Sequence, residues 1–261
     1  HFEARRQRQM CIRDRAYSGG LDTSYCLKKL STKNEVHAVN INTGGFTIKE
    51  INKIKEKAIK LGAYSFTTIE AVDIFYNTII KFLVYGNVLR NNTYPLSVSA
   101  ERTIQAIEVV NYAKKNKATH IAHGSTGAGN DQVRFDTIFQ ILAPEIKILS
   151  PIRDSNLTRE NEIDFLNQSG IKMSWEKAKY SINKGLWGTS IGGDETLTSD
   201  LKLPDSAYPG NLKNNSSKEI TLTFKNGEIC GLNGEKYDPV TCIELISKQC
   251  NDYCIGRDTH V

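Results

Sequence analysis

Two glycine-rich stretches carry the residues whose types and spacing point to chemistry. The first is Ser18-Gly19-Gly20-Leu21-Asp22-Thr23-Ser24, followed by Leu27 and Leu30 at helical spacing. Glycines let backbone N–H groups approach an anion closely. The hydroxyls of Ser18, Thr23 and Ser24 are expected to add donors, and the start of the following helix adds positive dipole. The stretch therefore reads as a phosphate cradle. Asp22 cannot itself favour bare phosphate, so it is expected to act through Mg2+ or to orient the loop. The spacing is neither GxxxxGK[ST] nor GxGxxG, and it supports no hydride chemistry. The second stretch runs from His123 through Gly124, Ser125, Thr126, Gly127, Ala128 and Gly129 to Asn130, Asp131, Gln132, Val133, Arg134 and Phe135. Its glycines free the backbone, while Thr126, Asn130, Asp131 and Arg134 bring donors, acceptors and both charges, a set suited to a zwitterionic amino acid. Arg134 can grip a carboxylate with two hydrogen bonds, and Asp131 can accept from an ammonium or amine. A shorter version of this stretch would read as a polar loop capping a helix at Asp131.

The elements that must position these loops follow from periodicity. From residue 16 short β-rich runs alternate with helical patterns, which predicts an α/β layer with a mainly parallel sheet. Strands are expected at 36–42, 64–69, 120–123 and 145–149. Ile48, Ile51, Ile54, Ala58 and Leu61 form an apolar stripe on a helix that Gly62 stops. Further helices are expected at 72–85 and 103–115, and Thr158 is placed to cap one that runs to Gln168 and ends at Gly170. The rhythm stops there, which sets a domain boundary near Gly170. Beyond it, strands at 220–224 and 228–232 flank Lys225-Asn226-Gly227, a hairpin signal, and Pro239 can open a helix over 240–252.

Composition narrows the class of partner. Hydrophobic residues make up 39% and charged residues 24% of the 261, and no window approaches a membrane-spanning apolar run. Net charge is 34 − 29 = +5. Residues 1–15 contribute most of it, through Arg5, Arg6, Arg8, Arg13 and Arg15 against Glu3 and Asp14. The basic excess is thus a feature of the leading segment, and no nucleic-acid partner is expected. That segment lacks the apolar core of a secretory signal. The six cysteines show no paired framework, so reduced thiols and a cytoplasmic location are expected. Cys242, Cys250 and Cys254 with His260 lack a CxxC-type knuckle and read as ordinary thiols, and no protein-only metal site is expected.

The string Ser18 to Ser24 resembles the pyrophosphatase-type loop of enzymes that split ATP between its α and β phosphates. The second stretch, together with Tyr94-Pro95-Leu96, Ser99, Tyr180-Ser181 and Leu186-Trp187-Gly188-Thr189-Ser190, resembles the argininosuccinate synthase family, in order over residues 16–261. The resemblance implies a Rossmann-like nucleotide-binding domain with a parallel sheet, of the adenine nucleotide alpha hydrolase-like kind, at 16–170. An incomplete α+β synthetase and multimerisation domain is expected to follow at 171–261. It implies ATP-dependent ligation of L-citrulline and L-aspartate with Mg2+, no membrane, and a homotetramer for the full-length family. By resemblance Ala16, Tyr17, Ser18, Gly19, Gly20, Leu21, Asp22, Thr23 and Ser24 bind ATP, with further contacts at Ile41 and Gly124. Thr126, Asn130 and Asp131 hold aspartate, and Tyr94, Ser99, Asn130, Arg134, Ser181 and Ser190 hold citrulline. Taken singly, Tyr94 before Pro95 also reads as a packed turn residue, and Ser181 and Ser190 as caps or loop hydroxyls. No protein nucleophile is required, and Asp22 and Asp131 are expected to serve positioning and proton management.

The sequence departs from the family pattern in three places. Cys11-Ile12-Arg13-Asp14-Arg15 stands where an apolar first strand belongs, so residues 1–15 read as foreign to the fold, with the first strand absent or distorted. Ala128 stands where other members often have lysine. The family also continues past Val261, which predicts exposed apolar surface at that end. Two alternatives remain: a non-catalytic nucleotide-binding fragment of the family, and another adenylating enzyme such as a tRNA thiolase, against which the second loop argues.

Overall fold

The structure, a computed structural model, describes residues 13–14, 17–127, 129–171, 180–198 and 200–259. Ala16, Ala128, His260 and most of the leading segment lie outside the described residues. In chain order the elements are β1 (Arg13–Asp14), α1 (Leu21–Ser31), β2 (His37–Asn42), α2 (Ile48–Leu61), β3 (Ser65–Glu70) and α3 (Val72–Phe75). A π-helical turn (Tyr76–Ile80) leads to α4 (Lys81–Tyr85), α5 (Ser97–Lys115), β4 (His120–Ala122), α6 (Asp131–Leu142), β5 (Lys147–Leu149), α7 (Pro151–Ser155) and α8 (Arg159–Gln168). The remainder is β6 (Tyr180–Gly185), β7 (Gly188–Gly193), β8 (Leu222–Lys225), β9 (Glu228–Leu232), β10 (Glu235–Lys236) and α9 (Pro239–Asn251). These form two compact units. The first takes in 13–42, 46–71 and 102–171, and the second 43–45, 72–101 and 180–259.

In the first unit every strand pair is parallel. β2 pairs with β3 from His37 opposite Ser65 to Asn42 opposite Glu70. β4 pairs with β1, His120 opposite Arg13, and with β5, His120 opposite Lys147. Just past β1, the Tyr17 N–H donates to Val39 O of β2 at 2.7 Å. The spatial order is therefore β3–β2–β1–β4–β5. β2 is buried from Ala38 to Asn42, as a central parallel strand covered on both faces must be. The first strand was expected to be absent or distorted. Among the described residues it is present at Arg13–Asp14, because main-chain pairing with β4 does not depend on side-chain polarity.

Helix boundaries in this unit follow local chemistry. Thr47 and Glu50 form a reciprocal capping box at the start of α2, and Gly62, at φ 103°, ends it in the left-handed conformation. Ile54, Ala58 and Leu61 of its stripe are buried beside Leu27 of α1 and Leu166 of α8, whereas Ile48, in the first turn, stays 80% exposed. Thr158 caps α8 through the same kind of box, with Asn161.

In the second unit β6 and β7 form a hairpin, and β8, β9 and β10 an antiparallel meander. The β8–β9 turn is Asn226 (φ 52°) and Gly227 (φ 83°), the pair of positive φ values that a tight hairpin takes; Lys225 belongs to the strand. Leu186 N–H donates to Thr43 O at 2.9 Å, which draws the β6–β7 turn onto residues 43–45. α5 begins at Ser97 rather than at the expected 103. The Tyr94 hydroxyl accepts from the N–H groups of Val98 (3.1 Å) and Ser99 (3.2 Å), capping a first turn whose own residues are indifferent helix formers. The expected 72–85 helix is helical throughout but loosens into the π turn at its centre.

Candidate active site

The first loop is built on main-chain groups. Gly19 has φ 76°, and Gly20 precedes α1 in an extended conformation without a side-chain capping bond. Thr23 Oγ1 donates to Gly20 O at 2.9 Å and Ser24 Oγ to the same oxygen at 2.7 Å. Both hydroxyls are buried and their protons face inward, so the outward-facing donors of the loop are backbone N–H groups and the exposed Ser18. Tyr17 is buried beneath the loop with its hydroxyl 3.4 Å from Ser24 Oγ, and burial pushes its phenol up to about 12. Buried Asn40 of β2 donates to Tyr17 O at 2.8 Å and fixes the entry to the loop. Ile41 is buried beside it in β2. Asp22 sits in the first turn of α1, partly exposed.

Lys57 of α2 reaches the same loop, its Nζ donating to Gly19 O at 2.5 Å. Burial lowers its pKa from 10.5 to about 8. Sequence reasoning missed it, although a signal existed. Lys57 follows Ile54 by three residues and adjoins Ala58, so it lies on the buried stripe rather than on the solvent face.

The second loop leaves β4 at His123, which is completely buried. Gly124 and Ser125 are buried, and Thr126, Gly127, Gly129 and Asn130 are exposed. Asn130 precedes α6 without a side-chain capping bond, so the cap position is Asn130 rather than Asp131. Asp131 is held between two guanidinium groups, Arg134 Nη1 at 2.8 Å and Arg102 Nε at 3.0 Å. Arg102, only 14% exposed, also donates to Gln105 Oε1 at 2.9 Å. It too escaped the sequence reading, because nothing local marks an arginine in α5 as the partner of a carboxylate beyond β4.

In the second unit, Tyr94 is buried with its hydroxyl 3.4 Å from Ser99 Oγ. Trp187 Nε1 donates to Pro95 O at 2.9 Å, tying the β6–β7 turn to the same segment. Ser181 pairs with Gly192 and Ser190 with Asn183, so the two serines are diagonal neighbours on one face of the hairpin.

In the first unit, the two glycine loops follow β1 and β4, which are adjacent, parallel strands. In the order β3–β2–β1–β4–β5 this is the point where the winding of the sheet reverses, and in open α/β sheets ligands bind beyond the carboxyl ends of the strands there. Residues 14–172 match the arginosuccinate synthase N-terminal HUP domain. The chain belongs to the argininosuccinate synthase family.

Among its relatives, argininosuccinate synthase of Methanocaldococcus jannaschii is 40% identical over 246 residues, 93% of this chain and 62% of the relative. Those of Saccharolobus solfataricus (38%) and Sulfurisphaera tokodaii (37%) align with 94% of this chain and 63% of their own length. The chain thus spans about three fifths of the length of these relatives. The expected fold class is met: the first unit is a HUP, adenine nucleotide alpha hydrolase-like, domain with parallel strand pairs. Within it the structure brings Tyr17 to Ser24, Gly124 to Gly127 and Gly129 to Arg134 to one end of the parallel sheet. Tyr94, Ser99, Ser181 and Ser190 belong to the second unit. No helix among the described residues is long and apolar enough to cross a membrane.

Proposed function

We propose that this chain carries the nucleotide-binding part and a share of the amino-acid-binding part of an argininosuccinate synthase. The enzyme would join L-citrulline to L-aspartate using ATP, with release of AMP and pyrophosphate. The observation that carries this reading is the pair of glycine loops beyond adjacent parallel strands β1 and β4. The ureido oxygen of citrulline attacks the α-phosphorus of ATP, its bond to pyrophosphate breaks, and a citrullyl-adenylate forms. The aspartate amine then attacks the activated carbon and displaces AMP, losing a proton.

In this reading the N–H groups of the Ser18 to Thr23 stretch and the dipole of α1 receive the phosphates, the Tyr17 N–H being given to Val39 O and the Ser24 N–H to Gly20 O. Gly124 adds a nucleotide contact. Thr126, Asn130 and Asp131 hold aspartate, and Tyr94, Ser99, Asn130, Arg134, Ser181 and Ser190 hold citrulline. Asp131, already bridged by Arg102 and Arg134, keeps its carboxylate aimed and is the candidate to receive or relay the amine proton. Among the described residues no three His, Cys, Asp or Glu side chains gather to hold a metal ion. Mg2+ fits here as an ion carried largely by phosphate oxygens, with Asp22 the single carboxylate the loop supplies. Mg2+ would neutralise phosphate charge; the residues contribute alignment and preorganised donors. A cytoplasmic location and a homotetrameric whole protein belong to the same reading.

The test is pyrophosphate release from ATP with citrulline and aspartate added separately and together. Release that requires citrulline supports the reading. Release indifferent to citrulline overturns the substrate assignment, and binding of ATP and citrulline without release would make the chain a binding portion only.

A further inference from the structure

The second loop is held from a point outside it. Asp136, in α6, accepts from Arg153 Nη1 of α7 through Oδ2 at 2.5 Å. Its Oδ1 lies 2.8 Å from Nε2 of buried His123. Nδ1 of the same ring accepts from Ser125 N–H at 3.3 Å. The tautomer that satisfies both contacts carries its proton on Nε2. The ring also stacks on Phe135, with centroids 6.0 Å apart, so it cannot turn without disturbing the packing. Arg153 Nη1 donates in addition to Gln132 Oε1 at 3.4 Å, and Gln132 Nε2 donates to Gly127 O at 2.7 Å.

We propose that Arg153 is the positioning residue of the second loop: through Asp136 and His123 it fixes the Ser125 N–H, and through Gln132 it fixes the Gly127 carbonyl. One guanidinium thereby sets the backbone between Gly124, proposed to face the nucleotide, and Thr126, proposed to face aspartate. A planar guanidinium can serve a carboxylate and an amide oxygen together, whereas an ammonium is a single compact charge. The consequence for ligands rests on the function proposed above, but the loop geometry does not.

The experiment measures amide exchange by NMR on the whole chain without ligand, and ATP affinity by equilibrium dialysis. In Arg153→Met the Ser125 amide should lose about tenfold in protection, the scale of one hydrogen bond, while α1 and α2 keep theirs. ATP affinity should fall by a similar factor, about tenfold, because Gly124 is no longer held. Arg153→Lys should recover the Ser125 protection through Asp136 while Gly127 stays displaced from its parental chemical shift. Unchanged Ser125 protection in Arg153→Met overturns the proposal, and so does a loss spread equally over α1 and α2, which would make Arg153 a general stabilising residue. If Arg153→Met does not fold, Gln132→Met decides. That variant cuts only the second arm, and it should shift the Gly127 and Gly129 resonances without altering Ser125; no shift overturns the proposal. A parent chain that binds no ATP would sink the nucleotide reading while leaving the exchange results to judge the clamp.

Discussion

Neighbouring glycines of the first loop should respond to the same substitution in opposite ways. Gly19 lies at φ 76°, and a Cβ there would stand 3.3 Å from Ile54 Cγ1. A left-handed alanine costs about 1–2 kcal/mol, and the contact adds a little more because Ile54 is packed in the core. Gly19→Ala should therefore destabilise the fold by about 2 kcal/mol. Gly20 has φ −67° and ψ 172°, open to any residue, and its Cβ would meet Ser18 Oγ at 3.5 Å and Thr23 Oγ1 at 3.9 Å, ordinary contact. Alanine loses about 0.5–1 kcal/mol as a helix cap and regains about as much by restricting the unfolded chain, so stability should hardly change. The added methyl nonetheless stands beside the exposed Ser18 hydroxyl, and ATP affinity should drop about tenfold or more, as when a close main-chain approach is blocked. Urea unfolding gives the first quantity and equilibrium dialysis of ATP the second. A Gly20→Ala chain that binds ATP as the parent does would show that the anion does not sit against this loop. A Gly19→Ala chain as stable as the parent would refute the backbone argument itself.

Lys57 supplies a pH test. Its folded pKa of about 8 lies below the ordinary 10.5, so the unfolded chain binds this proton more tightly. The penalty on the charged form is complete below about 8 and is relieved as pH rises toward 10.5, so this group makes stability rise with pH across that window. Lys57→Met should remove that rise without destabilising the chain at pH 7; parallel urea midpoints for parent and variant from neutral to alkaline pH would count against the burial of the charge. Asp131→Asn leaves Arg102, 14% exposed, without its carboxylate. The cost should be about 1–2 kcal/mol by chemical unfolding, together with a loss of aspartate-dependent AMP release; AMP release with an unaltered aspartate dependence would remove Asp131 from the substrate site. In the second unit a Cβ on Gly45 would lie 1.9 Å from Lys184 O. Main chain cannot yield as a side-chain tip does, so Gly45→Ala should cost about 3 kcal/mol, read as a fall in melting temperature; a variant as stable as the parent would mean that the β6–β7 turn does not press on residues 43–45.

What the sequence disclosed and what it hid divide along the range of the interactions. The end of α2 and the start of α8 were legible because Gly62 and Thr158 act on residues within one turn of themselves, whereas the Thr47 cap of α2 emerged only with the fold. Asn226-Gly227 marked its turn for the same reason. The start of α5 was not legible, since its cap is the hydroxyl of Tyr94 and a tyrosine does not ordinarily announce a helix. In the candidate site, the glycines and Asp131 were singled out from residue type and spacing. Their supports, Lys57 on Gly19 and Arg102 on Asp131, required knowing which helices fold against which loops. The inward orientation of the Thr23 and Ser24 hydroxyls likewise belongs to the folded helix. Composition predicted donors there, and geometry gives those protons to Gly20 O.

Among the helices that carry or support the site, α2 and α8 open on a threonine that closes their first turn from within, but α1 opens on Gly20, which has nothing to offer. On the proposed reading a phosphate plays for α1 the part that Thr47 plays for α2. The ligand then counts as a missing piece of secondary structure, borrowed from the surroundings and returned at every turnover. Occupancy and folding become linked quantities. The opening turn of this helix would be held most firmly where nucleotide is plentiful, and a starved cell would loosen the protein first at the place where its chemistry begins.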